Sequence, residues 1–89
     1  MYRGLYSEEI VKKLSKLKKK DPVEYSQVRN KMDSILAGPN HTYKFLTHSM
    51  KGISRVHLGH FVLVFIIDHQ NKIISFEDYD HHDIIYKNK

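Results

Sequence analysis

The sequence has no cysteine, so disulfides, thiolate metal ligands and a cysteine nucleophile are excluded together. Its longest apolar run, residues 61–67, is far shorter than a membrane-spanning helix requires. We see no repeat, linker or low-complexity tract, and nothing at the N-terminus resembles a signal peptide. We therefore expect a cytoplasmic protein with no membrane partner, whose chemistry uses His, Asp, Glu, Lys, Arg, Tyr or Ser.

The length and charge of the chain limit what it can be. With 89 residues it can build one hydrophobic core but not two, so we expect residues 1–89 to form a single domain. Lys and Arg number 15 against 10 Asp and Glu, which gives a net charge of +5. This excess is compatible with a polyanionic partner, and equally with a small lysine-rich protein that is basic for solubility.

The first half of the chain predicts one short strand and two helices. The strand covers residues 2–6, and Ser7 then caps a helix over residues 8–19 that has apolar residues at helical spacing. Asp21 caps a second helix, which should end at residues 38–40 because glycine accepts the left-handed conformation and proline cannot continue a helix. The two helices should form a hairpin with one shared apolar side.

The second half changes to an alternating pattern that predicts strands. The candidate strands are residues 43–46, 53–58, 61–68 and 72–79. The last three are separated by hairpin-length turns, and the third is apolar on both faces, which indicates a central strand. The predicted fold is α+β, in the order β-α-α-β-β-β, with the helical hairpin packed on one face of a mainly antiparallel twisted sheet.

The strand at residues 53–58 carries two candidate functional side chains. Val56 and Leu58 should face the helices, which places Arg55 and His57 on the opposite face. An arginine beside an imidazole suits phosphate binding coupled to proton transfer. The alternative is an ordinary polar stripe that faces solvent.

The segment at residues 78–83 is dense in acids, bases and metal ligands, and Tyr86 follows it. One interpretation is general acid–base catalysis, with His81 or His82 as the proton carrier and Tyr86 orienting the substrate. Another is a structural cap in which paired Asp and His hold the C-terminal segment against the sheet.

A third interpretation of this segment is a Zn or Mn site of a metal-dependent hydrolase, built on Asp80, His81 and Asp83 and completed by His57 or His60. Adjacent residues of an extended chain point apart, so His81 and His82 should not both face one metal unless the chain turns there. We therefore rank metal binding lowest and expect no resident metal.

Residues 51–61, the strand and turn that follow, and the ending at residues 81–86 together resemble the RelE/ParE toxin superfamily of toxin–antitoxin modules. Many members have a basic strand and a Gly-His-Arg-x-x-x-Tyr ending. The resemblance covers nearly the whole chain. It implies the toxin of a type II module that cuts mRNA, usually on the ribosome, by activating a ribose 2′-hydroxyl against the adjacent phosphate without a metal.

The resemblance also implies a set of site residues. Arg55 and His57 occupy positions where the family usually has Lys or Arg, His81 and Tyr86 match the His and Tyr of the ending, and His82 replaces its Arg. We expect these five residues to be catalytic.

Three further residues, Lys44, Lys51 and His60, are expected to bind the substrate, and no cofactor is implied. Val62 departs from the family pattern, since it falls where an arginine commonly stabilises the scissile phosphate. The chain either cuts RNA with a different arrangement or binds its partner without cutting.

The implied partners are mRNA, the ribosome and a cognate antitoxin in a toxin–antitoxin hetero-oligomer. An extended antitoxin segment would then cover apolar residues such as Val62 and mask Arg55. The ParE-like branch of the superfamily acts on DNA gyrase, and the histidines and Tyr86 here favour the RNA-cutting branch.

Overall fold

The computed structural model describes residues 1–38, 44–45 and 53–87, which contain three helices and five strands. In chain order the elements are β1 (Arg3–Tyr6), α1 (Glu8–Lys20), α2 (Pro22–Ala37), β2 (Lys44–Phe45), β3 (Ile53–Leu58), β4 (Phe61–Asp68), β5 (Ile73–His81) and α3 (His82–Lys87). The predicted α+β class and the predicted β-α-α-β-β-β order are confirmed, and the structure adds one further strand and a C-terminal helix. Among these residues, none of the helices has the length and apolar character that crossing a membrane would need.

The helical hairpin is set by two N-caps. The Ser7 Oγ accepts a hydrogen bond from the Ile10 N–H at 3.1 Å, and the Asp21 Oδ1 accepts one from the Glu24 N–H at 3.1 Å. The Asp21 N–H also donates to the Leu17 carbonyl at 2.7 Å, so one residue ends α1 and begins α2. The connection between the helices is therefore a single residue.

The end of α2 differs from the prediction. Gly38 caps the helix, but its φ of −174° is extended and not the left-handed conformation that we expected of a glycine there. Any residue can adopt this backbone conformation, so the φ angle at position 38 does not require a glycine. Residues 39 and 40 lie outside the described part of the chain.

The five strands form one mixed sheet in the order β1-β5-β4-β3-β2. β1 pairs in parallel with β5, and the other neighbours are antiparallel. The order places β4 in the centre, as its apolar sequence predicts. One face of the sheet packs against α1 and α2 in a core built from Ile10, Leu14, Val28, Met32, Ile35, Leu63, Phe65, Ile74, Phe76 and Tyr79.

Part of the other face of the sheet, around Val62 and Val64, is covered by α3, an element that the sequence did not predict. Val62 is 0% exposed, and with Val64 and Ile85 it forms a second apolar cluster. In the chain by itself Val62 is covered by the C-terminal helix, so an antitoxin would contact this residue only by displacing α3. The helix is only six residues long, too short to produce a recognisable helical period.

Two strand boundaries also differ from the prediction. β5 ends at His81 and not at Tyr79, because its pairing with β4 continues to the partners Phe61 and His81. The candidate strand at residues 43–46 is described only at Lys44–Phe45, where it pairs with β3.

An ion-pair network joins α1 to β5 beyond the end of β1. The Lys13 Nζ lies 2.7 Å from both the Asp78 Oδ1 and the Asp80 Oδ2. Burial alone would lower the pKa of Lys13, but the hydrogen bonds to Asp78 and Asp80 outweigh it and raise this pKa above its ordinary value. Burial likewise opposes the change at Asp80, yet the hydrogen bond from Lys13 holds the pKa of that carboxyl below its ordinary value.

We predict that Lys13→Met lowers the free energy of unfolding by about 1 kcal/mol at neutral pH, as expected for a partly exposed ion pair. The folded-state pKa of Asp80 is lower than the ordinary carboxyl pKa of 3.8. The contribution of Asp80 to the free energy of unfolding is therefore present above pH 3.8 and is lost as the pH falls through the folded-state pKa. Urea denaturation at several pH values should therefore show the two proteins converging on acidification.

The matched control is Lys12→Met, which removes an exposed lysine from the neighbouring position of α1. It should leave the unfolding free energy within about 0.5 kcal/mol of wild type. Equal effects of the two substitutions would show that the network does not stabilise the fold.

Candidate functional site

The tip of the β3–β4 hairpin lies against the junction between β5 and α3. The hairpin turns through Gly59 and His60, and Gly59 has a φ of +64°, a conformation that glycine adopts without steric cost. The His82 N–H donates a hydrogen bond to the His60 carbonyl at 2.9 Å. Strand register places Phe61 opposite His81. These backbone contacts bring His60, His81 and His82 to one place.

The chain turns between His81 and His82, where the strand ends and α3 begins. The Asp83 carboxylate in the first turn favours a helix start there, since it complements the positive end of the helix dipole. The two imidazole rings stack with centroids 4.6 Å apart at an interplanar angle of 28°. The condition under which His81 and His82 could lie together, a turn of the chain at this point, is therefore met.

Ile85 fixes the position of α3 on the sheet. It is 6% exposed and packs with Val62 and Val64 of β4 and with Ile53 of β3. Ile84, one residue earlier, is 44% exposed. The buried isoleucine therefore defines which side of α3 faces the sheet, and Tyr86 is carried over β3 as a result.

Tyr86, His57 and Arg55 form a contact cluster on the α3 face of the sheet. The Tyr86 Oη lies 3.3 Å from the His57 Nε2, and the Arg55 Cζ lies 4.8 Å from the centroid of the Tyr86 ring. The arginine is thus placed for a cation–π contact with the phenol. Val56 and Leu58, which alternate with these side chains along β3, pack on the helical side as predicted.

The guanidinium of Arg55 is only partly satisfied by protein groups. Its Nε is buried and has no hydrogen-bond partner within the part of the chain that the structure describes. A buried N–H without an acceptor costs about 1–3 kcal/mol.

A second cluster consists of the three histidines His60, His81 and His82. The His60 ring centroid lies 6.1 Å from that of His81 and 6.3 Å from that of His82. One nitrogen of each ring lies within 4.8 Å of the corresponding nitrogens of the other two. The cluster meets the Tyr86 cluster at His82, whose ring centroid is 6.5 Å from that of Tyr86.

Asp83 supports the histidine cluster, although it was not among the predicted site residues. Its Oδ1 lies 3.1 Å from the His82 Nδ1, and its Oδ2 lies 3.7 Å from the His81 Nδ1. Its backbone N–H also donates to the His81 Nδ1 at 3.2 Å. An acidic residue directly after two histidines was the available signal in the sequence.

Six of the eight predicted site residues thus lie in two clusters. Arg55, His57 and Tyr86 are in contact, while His60, His81 and His82 form the adjacent group. Lys44 pairs with Arg55 in the backbone register of β2 and β3. Lys51 lies outside the described residues.

The comparison with known proteins decides the family. No protein-family profile matches the sequence. A protein of Methanocaldococcus jannaschii named "Putative toxin RelE4" is 46% identical over 77 residues, which cover 85% of this chain and 81% of the relative. This chain belongs to the RelE family of the RelE/ParE toxin superfamily.

A second relative of this RelE-family chain is an uncharacterised protein of Methanosarcina mazei. It is 44% identical over 87 residues, covering 97% of this chain and all of the relative. The two chains therefore correspond along almost their whole lengths.

Solved structures give the same fold at low sequence identity. The intact E. coli RelBE toxin–antitoxin complex contains a chain that superimposes with a TM-score of 0.76 at 17% identity, covering 91% of this chain and 96% of the other. The RelBE2 toxin–antitoxin complex of Mycobacterium tuberculosis gives a TM-score of 0.73 at 20% identity, with 91% and 98% covered. These matches confirm the RelE fold.

We predict that Ile85→Ala lowers the free energy of unfolding by about 2–4 kcal/mol, because it leaves a cavity over Val62 and Val64. Ile84→Ala is the matched control, since it removes the same atoms from a largely exposed neighbour and should cost less than about 1 kcal/mol. Urea denaturation monitored by circular dichroism measures both values. Equal losses in the two variants would contradict the assigned packing of α3.

Proposed function

We propose that this RelE-family chain is the toxin of a type II toxin–antitoxin module and that it cleaves mRNA on the ribosome in the cytoplasm. The observation that carries the proposal is the contact cluster of Arg55, His57 and Tyr86 on one face of the sheet. The name of the M. jannaschii relative, "Putative toxin RelE4", supports the toxin part of this proposal. The net charge of +5 suits a polyanionic substrate.

The proposed reaction is an attack of a ribose 2′-hydroxyl on the adjacent phosphate. A base removes the 2′-hydroxyl proton, the new bond to phosphorus forms, and an acid protonates the departing 5′-oxygen, which leaves a 2′,3′-cyclic phosphate and a 5′-hydroxyl. Every step moves a proton or neutralises charge, and imidazole and guanidinium groups perform these tasks.

Each residue of the two clusters has a proposed role in this reaction. Arg55 neutralises the charge on the phosphate, since its guanidinium is permanently charged. His57 and one of His81 and His82 transfer the protons, and Tyr86 orients the nucleotide beside His57. The 3.3 Å contact between Tyr86 and His57 supports this assignment, because the phenol restricts where the imidazole lies.

The basic residues Lys44, Lys51 and His60 are proposed to bind the substrate backbone. His60 lies at the hairpin tip beside His81 and His82, which places it at the edge of the proposed site. The proposal for the two lysines rests on their charge and their positions in the sequence.

The proposed protein partner is a cognate antitoxin that forms a hetero-oligomer with this chain. Two of the solved structures with this fold are toxin–antitoxin complexes, which supports such a partner. Since α3 already covers Val62, the antitoxin would neutralise this chain by masking or displacing the Arg55, His57 and Tyr86 cluster.

A second candidate function is that of a RelE-fold module which binds an antitoxin without cleaving RNA. Val62 favours it, because this residue is apolar and 0% exposed at the position where the family commonly has an arginine. The Val62 side chain is buried beneath Ile85 and carries no charge that could neutralise a phosphate. If the chain does cleave RNA, Arg55 has to supply the positive charge that Val62 lacks.

We predict that expression of the wild-type chain arrests growth and creates new mRNA 5′ ends within coding sequences. His57→Asn should lower the rate of cleavage by about 100-fold, as removal of a proton-transfer group does. Tyr86→Phe keeps the ring under Arg55 and removes only the hydroxyl, so we expect a smaller loss of about 10-fold. Primer extension on several mRNAs, at matched protein levels, measures the rates.

The chain provides a matched control pair. The Tyr2 Oη lies 2.8 Å from the His69 Nδ1, so this pair repeats the tyrosine–histidine contact at the opposite end of β4. His69→Asn and Tyr2→Phe should cleave within about twofold of wild type. Intact mRNA with soluble wild-type protein would exclude the nuclease and leave the binding module.

A further inference from the structure

We propose that His60, His81 and His82 form a binding site for a divalent transition-metal ion of the Zn²⁺ class. The inference uses the histidine cluster and Asp83, and it stands whether or not the chain cleaves RNA. A bound ion would occupy ring nitrogens that the proposed proton transfer by His81 or His82 needs, so it would inhibit that reaction. Three imidazoles are the ligand set that suits Zn²⁺, Cu²⁺ and Ni²⁺. A fourth coordination position would remain open to water or to an anionic oxygen.

The spacing of the three rings is close to that of a coordinated set. In a tetrahedral site with Zn–N distances near 2.1 Å, ligand nitrogens lie about 3.4 Å apart. The three candidate nitrogens here lie within 4.8 Å of one another. Each nitrogen therefore has to move inward by only roughly 1 Å, which rotation of the side chains supplies.

The backbone holds the three histidines together before any ion binds. The 2.9 Å hydrogen bond from the His82 N–H to the His60 carbonyl joins the hairpin tip to the start of α3. Pairing of Phe61 with His81 fixes the end of β5 beside the same tip. Pre-organised ligands lose little freedom on binding, so the affinity should be higher than for the same side chains on mobile segments.

Asp83 supplies an outer contact of the kind that metal-binding histidines use. Its carboxylate oxygen, 3.1 Å from the His82 Nδ1, can accept a hydrogen bond from a protonated Nδ1. This tautomer leaves the His82 Nε2 free for the ion. At His81 the Nδ1 accepts the Asp83 backbone N–H at 3.2 Å, while the carboxylate lies at 3.7 Å. Binding through the His81 Nε2 would place the ring proton on Nδ1, which would exchange the hydrogen bond from the Asp83 N–H for one donated to the Asp83 carboxylate.

The ion would have access to the cluster from solvent. His60 is exposed in the hairpin turn, and the side chains of His81 and His82 are 39% and 40% exposed. The stacked arrangement of His81 and His82, with ring centroids 4.6 Å apart, is produced by the turn of the chain at the start of α3. This turn makes possible a site that an extended segment would not form.

The test is a calorimetric titration of the full chain, purified without a histidine tag, with ZnCl₂ at neutral pH. We expect one ion per chain, bound with a dissociation constant below about 10 µM. Co²⁺ should give the visible absorption of a tetrahedral ion. Loss of an outer-contact residue weakens metal binding by roughly 10–100-fold, so Asp83→Asn should weaken Zn²⁺ binding within that range. His60→Asn removes a ligand and should weaken Zn²⁺ binding by more than that range.

His69→Asn is the matched control, because it removes an exposed histidine at the far end of β4 and should leave the affinity within twofold of wild type. Circular dichroism confirms folding of each variant, and Zn²⁺ should raise the melting temperature of wild type but not of His60→Asn. Equal losses in His60→Asn and His69→Asn would overturn the proposal. So would one ion per two chains with dimerisation, or the absence of 1:1 binding in the folded wild type.

Discussion

The packing of Ile85 against Val62 and Val64 determines where the C-terminal side chains of this protein lie. Burial of this apolar cluster holds α3 against the sheet, and the next residue, Tyr86, is then placed over β3. There it contacts His57 and Arg55, at 3.3 Å to the imidazole and 4.8 Å to the guanidinium carbon. The catalytic geometry that we propose thus depends on an apolar contact, since the polar groups alone give little net stabilisation.

The same cluster explains why valine at position 62 suits this chain. A charged side chain beneath Ile85 would lose its hydration without a partner, at a cost of several kcal/mol. Val62 therefore belongs to the internal packing of the fold. In the reaction that we propose, the positive charge for a phosphate comes instead from Arg55 on the neighbouring strand, whose guanidinium lies over the Tyr86 ring.

The sequence predicted the parts of the fold that have a long periodic pattern or a clear cap. Ser7 and Asp21 marked the helix starts, and the doubly apolar run of β4 marked the central strand. It did not predict α3, because six residues are too few for a helical period and the helix is held by tertiary contacts of Ile85. For the same reason, the turn between His81 and His82 that brings the two rings together was not predictable from the sequence pattern. The family was recognised from the order of elements and from the ending with His81 and Tyr86.

The central claim, that a 2′-hydroxyl attacks the adjacent phosphate at the Arg55, His57 and Tyr86 cluster, can be tested with one substrate modification. The purified chain is incubated with ribosomes programmed with mRNA that carries a single 2′-deoxy nucleotide at a mapped cleavage position. We expect cleavage at that position to be lost, while cleavage of the unmodified mRNA leaves a 2′,3′-cyclic phosphate and a 5′-hydroxyl. Equal cleavage of the 2′-deoxy mRNA, or products with a 5′-phosphate, would contradict it.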